Sequence, residues 1–191
     1  MVCKGVQVVT QEAFSAILAQ TLFKTLLGGL FMPFALSPMT LTSSDFPADG
    51  VIPRDCTGEG ADRSPALSWD QVPEGTQSFA VICHDPDAPL VSSNGNYGFV
   101  HWVLYNLPGT VTGLAAGSDL GTAGQNNFGR SEYGGPMPPE GHGTHRYYFW
   151  VLALDTQERY APDLTLWQLL ERIEPNIIGM NRLVGTYRRE G

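Results

Sequence analysis

Two aspartates in the segment HDPDAP could take part in acid–base or ligand-binding chemistry. Asp85 and Asp87 come directly after the apolar run SFAVIC and are separated by a proline. Because proline restricts the backbone, both carboxylates should be held at a strand end, where they can accept hydrogen bonds from a ligand or from backbone amides. The same pattern is also typical of a structural turn, since an aspartate before proline often bonds to its own backbone.

His101 lies in FVHWV, in the middle of a predicted strand. A lone histidine among apolar neighbours is more often a satisfied core residue than a ligand-binding group. Strand alternation predicts that His101 shares a face with Val103 and Tyr105 and points away from Trp102.

Two further candidates come from the segment GPMPPEGHGTHRYYF, which leads from a Pro-rich loop into another predicted strand. Alternation places His145 and Tyr147 on one face of this strand and Arg146 on the other. His145 and Tyr147 are therefore natural partners in one site. For Arg146 we expect a structural ion pair, for example with a buried carboxylate.

The elements that must position these side chains are mainly β-strands. A Gly- and Pro-rich segment, residues 110–144, separates the last two predicted strands, and loops of this length are usually functional. A short helix is predicted after Asp163 and before Pro175, and the segment NIIGMNRLVGTYRR suggests a helical turn followed by an edge strand. Five segments rich in β-branched or aromatic residues predict strands: MTLTS, ALSWDQV, SFAVICHD, FVHWVLYNL and HRYYFWVLALD.

Length and charge limit the classes of function. The chain has 191 residues, enough for one well-buried core. Its formal net charge of -8 argues against binding to nucleic acid, which requires a basic face. No lysine follows Lys24, which excludes Schiff-base chemistry and P-loop phosphate binding from the main body. The 3 cysteines indicate neither a disulfide framework nor a thiolate zinc site, and we expect Cys83 to be a small buried residue.

Residues 1–38 are a predicted helical extension, and residues 39–191 are the predicted main domain. Polar residues and glycines interrupt the apolar stretch near the N-terminus, so it lacks both the run of about 18 apolar residues that a membrane span needs and the cleavage site of a signal peptide. Helical spacing predicts an amphipathic helix from Gln11 to Leu27. Its polar face carries a single lysine, so membrane contact should be at most peripheral. We expect a cytoplasmic location, with a periplasmic or secreted one as the alternative.

Taken together, the motifs resemble the phosphatidylethanolamine-binding protein family, in particular its bacterial and archaeal branch of Raf kinase inhibitor-like proteins. The resemblance covers nearly everything after Met39. It implies a mainly β fold, a β-sandwich with a large central antiparallel sheet, a small second sheet and short C-terminal helices. The motifs that carry it are MTLTSSDFPADGVIP, SPALSW, DPDAP, HWVLYNLP, NNFGRSEYGGPMPPEGHGTHRYYF and LVGTYRR.

The resemblance also implies a pocket for a small anionic or phosphorylated ligand, without a cofactor. Met137 stands where many relatives have cysteine, which excludes thiol chemistry at that position. The N-terminal extension is absent from the shortest relatives. The residues expected to form the pocket are Asp85 with Asp87 in support, His101, Met137, Pro138, Pro139, His145 and Tyr147.

The chemistry of these side chains is consistent with binding of an anion. Imidazole and phenol groups can hold a phosphate or a carboxylate. Asp85 can orient and charge a histidine, or accept a proton from a monoprotonated phosphate or an ammonium group. We therefore expect modest affinity that strengthens as the histidines protonate.

The first hypothesis is non-catalytic binding of a small anion, with a phospholipid head group as one candidate. Inhibition of a kinase or a protease, implied by the resemblance alone, would be a regulatory extension of this role. The alternative is an enzyme in which Asp85, His101 and His145 perform acid–base steps of an isomerase, lyase or cyclase. A metal hydrolase that also uses Asp87 is the weaker alternative. The sequence also leaves a homodimer open.

Overall fold

A computed structural model describes residues 36–92 and 95–189 of the chain. The amphipathic helix predicted from Gln11 to Leu27 lies outside these residues, and the domain boundary at residue 38 stays a prediction. Two short 3-10 helices occur, at Arg54–Cys56 and Glu174–Asn176. The main elements are β1 (Thr40–Thr42), β2 (Leu67–Asp70), β3 (Ser78–Ser92), β4 (Gly95–Pro108), β5 (Gly113–Leu114), β6 (Thr122–Ala123), β7 (His145–Leu154), α1 (Leu166–Ile173) and β8 (Ile177–Tyr187).

The strands form two antiparallel sheets, as the fold prediction required. The large sheet has the order β6-β4-β3-β7-β8, and the small sheet has the order β1-β2-β5. The five predicted strand segments correspond to β1, β2, β3, β4 and β7. The two short strands β5 and β6 lie inside the Gly- and Pro-rich segment 110–144, for which no strand was expected.

Two apolar clusters cover the two faces of the large sheet. The larger cluster joins Trp69 of β2 to Phe79 of β3 and Phe149 of β7, so it fills the space between the sheets. The smaller cluster joins Val103 and Tyr105 of β4 to α1 on the other face. Alternation along the strands therefore divides apolar side chains between two cores, which explains why these strands are apolar on both faces. Cys83 is fully buried in the larger cluster, as predicted.

The predicted helix after Asp163 is confirmed as α1. The Thr165 side chain accepts a hydrogen bond from the Gln168 backbone N–H, and the Gln168 side chain accepts one from the Thr165 N–H, which forms a capping box. Leu169 and Ile173 are buried against the large sheet. No helix within the described part of the chain is long and apolar enough to cross a membrane.

Two local predictions were wrong. The segment HDPDAP does not end its strand: β3 continues to Ser92, and the residues between Asp85 and Pro89 form a bulge against β4. The C-terminal segment forms the predicted edge strand, β8, but the helical turn lies before it, at Glu174–Asn176, because pairing with β7 begins at Ile177. In both places tertiary pairing satisfies backbone groups that local sequence patterns assign to turns.

The inter-sheet core gives the first testable prediction. Phe149 is fully buried and packs against Phe46 with ring centroids 5.6 Å apart. Phe149→Ala should lower the free energy of unfolding by about 3–5 kcal/mol in a denaturant titration, because it removes buried apolar area and leaves a cavity. The control is Leu120→Ala, which alters a side chain outside both clusters and should change stability by less than about 0.5 kcal/mol. Equal losses for the two variants would contradict this core.

Candidate functional site

Asp85 lies inside the protein, immediately before a bulge in β3. Asp85 pairs with Phe99 and Pro89 pairs with Gly98, so three residues protrude between two adjacent register positions. Gly98 is required here, because a Cβ at this position would lie 2.4 Å from the Asp85 carbonyl oxygen. Asp85 lies two residues after Cys83, on the face of β3 that points between the sheets, and it is only 2% exposed.

Both oxygens of the Asp85 carboxylate are hydrogen-bonded. Oδ1 accepts from the Asp87 backbone N–H at 2.8 Å, and Oδ2 bonds to Nδ1 of His145 at 2.7 Å. The His145 side chain is 4% exposed, so the pair is buried. An ionised carboxylate can only accept, which assigns a proton to Nδ1 of His145 and leaves Nε2 for other partners. When His145 is doubly protonated, the two groups form a buried ion pair.

His101 is held by backbone on the other side of the site. Its Nδ1 lies 2.6 Å from the carbonyl oxygen of Gly134, and the Gly134 N–H donates to the His101 carbonyl at 2.9 Å. A carbonyl cannot donate, so Nδ1 carries the proton and Nε2 has a lone pair when the ring is neutral. Burial lowers the pKa of His101, and the nearby carbonyl groups and Asp85 offset this shift only in part. His101 is therefore a neutral acceptor near pH ~7.

The orientation predicted for His101 was wrong. A second register shift, between Cys83 and His84, places a bulge in the pairing of β4 at this histidine. Its ring consequently contacts Tyr147, at 5.1 Å between centroids, and Tyr147 belongs to the inter-sheet cluster. Val103 and Tyr105 belong to the cluster on the opposite face. Strand alternation fails across a bulge because the extra residue reverses the order of the faces.

Tyr147 is the most unusual member of the site. The side chain is fully buried, and its hydroxyl makes no hydrogen bond of standard geometry to the residues that the structure describes, with the Asp85 carboxylate as a neighbouring acceptor. Burial and the neighbouring Asp85 carboxylate raise the pKa of Tyr147 far above its usual range, so the group stays a hydroxyl. A buried hydroxyl without a partner costs on the order of 1–3 kcal/mol. Such a group indicates a place where a ligand can supply the missing bond.

Asp87 supports the site from outside. It is more exposed than Asp85, and its Oδ2 accepts a hydrogen bond from the Arg146 backbone N–H at 2.8 Å. The Arg146 guanidinium lies 3.9 Å from the same oxygen. Arg146 therefore does form an ion pair from the opposite face of β7, although its partner is a partly exposed carboxylate and not a buried one.

Three predicted residues have their described contacts elsewhere. The Met137 side chain is exposed and packs against Gly58, where an added Cβ would lie 2.8 Å from the sulfur. The Pro139 carbonyl accepts a hydrogen bond from the His142 N–H at 3.2 Å. Pro138 is buried. The loop instead reaches the site through Gly134, which anchors His101, and a direct role of Met137, Pro138 and Pro139 in binding stays a prediction.

Asp62 also belongs to the structure of the site, and no feature of the sequence marks it. Its Oδ1 accepts a hydrogen bond from the Gly135 N–H at 2.5 Å, next to the carbonyl that holds His101. Arg130 donates to Asp62 Oδ2 at 3.3 Å. Asp62 has a φ of 53°, which only its place in the folded loop reveals. Its role is to position His101 through the Gly134–Gly135 backbone.

Two further aromatic rings pack against His101. Phe99 and Phe128 lie 5.1 Å and 5.5 Å from the His101 ring, centroid to centroid. Phe128 is 43% exposed, and buried Asn126 fixes its turn by accepting hydrogen bonds from the N–H groups of Phe128 and Arg130. Within residues 36–92 and 95–189 no group of three or more His, Cys, Asp or Glu side chains is placed to hold a metal ion.

Comparison with known proteins agrees with this architecture. The family model described as phosphatidylethanolamine-binding protein matches residues 42–188. The chain belongs to this family. A UPF0098 protein of Aquifex aeolicus is 36% identical over 180 residues, which cover 86% of this chain and 100% of that protein.

Two solved structures show the same family fold. A crystal structure of a phosphatidylethanolamine-binding protein homolog from Chlamydia trachomatis has a TM-score of 0.72 and 37% identity, and the match covers 79% of this chain and 97% of that one. Escherichia coli YbcL, described as a member of the mammalian PEBP family, has a TM-score of 0.72 and 30% identity, over 80% of this chain and 99% of its own. The chain is therefore a ligand-binding protein of the phosphatidylethanolamine-binding type.

The position of Asp62 leads to a test of the loop. Asp62→Gly removes the acceptor for the Gly135 N–H without backbone strain at positive φ, and it should lower the free energy of unfolding by about 1–3 kcal/mol. The His101 ring ¹⁵N signals should also change from a single Nδ1-protonated form to an average of two tautomers. Asp62→Asn keeps an acceptor oxygen and should leave the His101 signals unchanged. Unchanged His101 signals in Asp62→Gly would show that Asp62 does not position this ring.

Proposed function

We propose that the protein binds a small anionic ligand, with phosphorylated compounds as the first class, in the pocket formed by Asp85, His101, His145 and Tyr147. The observation that carries this proposal is the buried Tyr147 hydroxyl, which lacks a partner next to two anchored imidazoles. A protein keeps an unsatisfied buried donor when something else completes its hydrogen bonding.

The chemistry of the lining groups supports an oxygen-rich ligand. Tyr147 offers an O–H donor, and each histidine offers an Nε2 atom that accepts when neutral and donates when protonated. Oxygens of a phosphate or a carboxylate can accept from the Tyr147 hydroxyl and from an imidazole that is protonated at Nε2. Phosphoethanolamine, the head group of a phospholipid, is a member of this class and a probe for lipid binding.

Binding without catalysis is the simplest use of these groups. The Asp85–His145 pair orients its imidazole, and the Gly134 carbonyl orients that of His101. Both rings are thereby prepared to hold a ligand in one geometry, which lowers the entropy cost of binding. A role as a kinase or protease inhibitor would involve protein surfaces outside this pocket, and the pocket geometry supplies no argument for it.

Removal of the Tyr147 hydroxyl tests the proposal. Tyr147→Phe should weaken the binding of phosphate about tenfold in a calorimetric titration, because one hydrogen bond to a charged ligand is lost. The melting temperature of the ligand-free variant should stay the same or rise, since the lost hydroxyl has no partner in the described protein.

The matched control is Tyr105→Phe. Tyr105 donates to the Ala161 carbonyl at 2.6 Å on the other side of the sheet, so this variant should lose stability while phosphate binding is preserved. Parallel titrations with phosphoethanolamine and acetate compare the ligand classes. If no phosphate, phosphate ester or carboxylate binds the wild-type protein, the proposed function is wrong.

A further inference from the structure

We infer that this pocket selects an anion that carries a proton, such as a monoprotonated phosphate or phosphate ester, over an anion of the same shape without one, such as sulfate. The inference rests on the proposed function and specifies the class of ligand. It follows from the way in which the buried groups of the site divide into hydrogen-bond donors and acceptors.

His101 is a fixed acceptor. Its Nδ1–H donates to the Gly134 carbonyl, and the Gly134 N–H donates to the His101 carbonyl, so two hydrogen bonds join these residues. Asp62 holds the next residue, Gly135, in place. A ring flip or a change of tautomer would break a 2.6 Å hydrogen bond in the interior. A ligand atom that meets Nε2 of the neutral ring must therefore bring a proton.

Tyr147 supplies the complementary donor. Its hydroxyl remains protonated and has no partner in the part of the chain that the structure covers. The Tyr147 and His101 rings are perpendicular, with centroids 5.1 Å apart, so the two side chains are direct neighbours in the site. A monoprotonated phosphate has oxygens that accept from Tyr147 and a P–OH group that donates to His101. Near pH ~7 sulfate has oxygens that accept hydrogen bonds but no O–H group, so it leaves Nε2 of His101 without a donor.

The charge around the site also disfavours an anion with two negative charges. Asp85 places a buried carboxylate beside Tyr147 and His145. The other titratable groups near the two imidazoles are Asp62 at His101 and His142, whose ring centroid lies 6.4 Å from that of His145.

Two nearby arginines already have carboxylate partners. Arg146 pairs with Asp87, and Arg130 pairs with both Asp62 and Glu132. Both arginines therefore already neutralise carboxylates and do not offset the charge of a doubly charged anion. Protonation of the ligand removes one of its negative charges and so favours its binding. A phosphate ester has a second pKa of about 6, so it can take up a proton near neutral pH, whereas sulfate cannot.

The test is calorimetric titration of the full-length protein with inorganic phosphate and with sulfate at pH ~7. Phosphate should bind at least about tenfold more tightly, which corresponds to about 1.4 kcal/mol. At lower pH, protonation of His101 turns its acceptor into a donor, so sulfate binding should strengthen and the preference should shrink. At higher pH, inorganic phosphate passes from its singly charged to its doubly charged form, which still has a P–OH group, so phosphate binding should weaken more than sulfate binding because of the added charge beside Asp85.

A variant assigns the selectivity to His101. His101→Asn retains an amide donor near the position of Nδ1 and lacks the Nε2 acceptor, so phosphate affinity should fall to about that of sulfate. His84→Asn is the control, because His84 packs against Tyr148 outside the pocket and the preference should persist there.

The possible results separate the inference from the proposed function. Equal binding of phosphate and sulfate to the wild-type protein at pH ~7 would overturn the inference and leave the proposed function intact. Binding of neither anion, nor of a phosphate ester, would overturn the proposed function. Should His101→Asn fail to fold, the pH dependence of the phosphate-to-sulfate ratio in the wild-type protein decides the question, and a ratio that does not change with pH would overturn the inference.

Discussion

The burial of the Asp85 carboxylate is the constraint on which the site depends. A charge in the protein interior is tolerated only when its oxygens are hydrogen-bonded. One oxygen is satisfied by the Asp87 backbone within the same bulge, and the other by His145 from the neighbouring strand. The bulge therefore provides one of the hydrogen bonds that the carboxylate needs, and the carboxylate in turn fixes the ring of His145.

The two histidines are held by acceptors of different kinds, and this difference shapes the chemistry of the pocket. The Asp85 carboxylate holds His145 through its Nδ1 atom. A neutral carbonyl holds His101, whose pKa burial lowers. The site thus has one imidazole held by a charged acceptor and one held by a neutral acceptor, and the ring of His101 is suited to accept a hydrogen bond at Nε2.

Membership in the phosphatidylethanolamine-binding protein family agrees with the two-sheet fold and places the site in a known structural context. The function of an individual member depends on the groups in its own pocket, because one fold can serve several functions. In this chain those groups include the buried Tyr147 hydroxyl, the partly exposed ring of Phe128 beside His101, and the Asp62 contact that holds the loop.

The sequence by itself determined the sheet-rich fold, the short helix after Asp163 and the pairing of His145 with Tyr147 on one face of a strand. These features follow from local periodicity and capping, which a sequence displays directly. The face that His101 occupies, the bulge after Asp85 and the role of Asp62 were decided only by the tertiary structure. Bulges change which face a residue occupies, and the bulges in β3 and β4 depend on pairing between strands and on the close approach of Gly98. Local sequence patterns do not predict such contacts, because the residues that they join are far apart in the chain and follow no regular spacing.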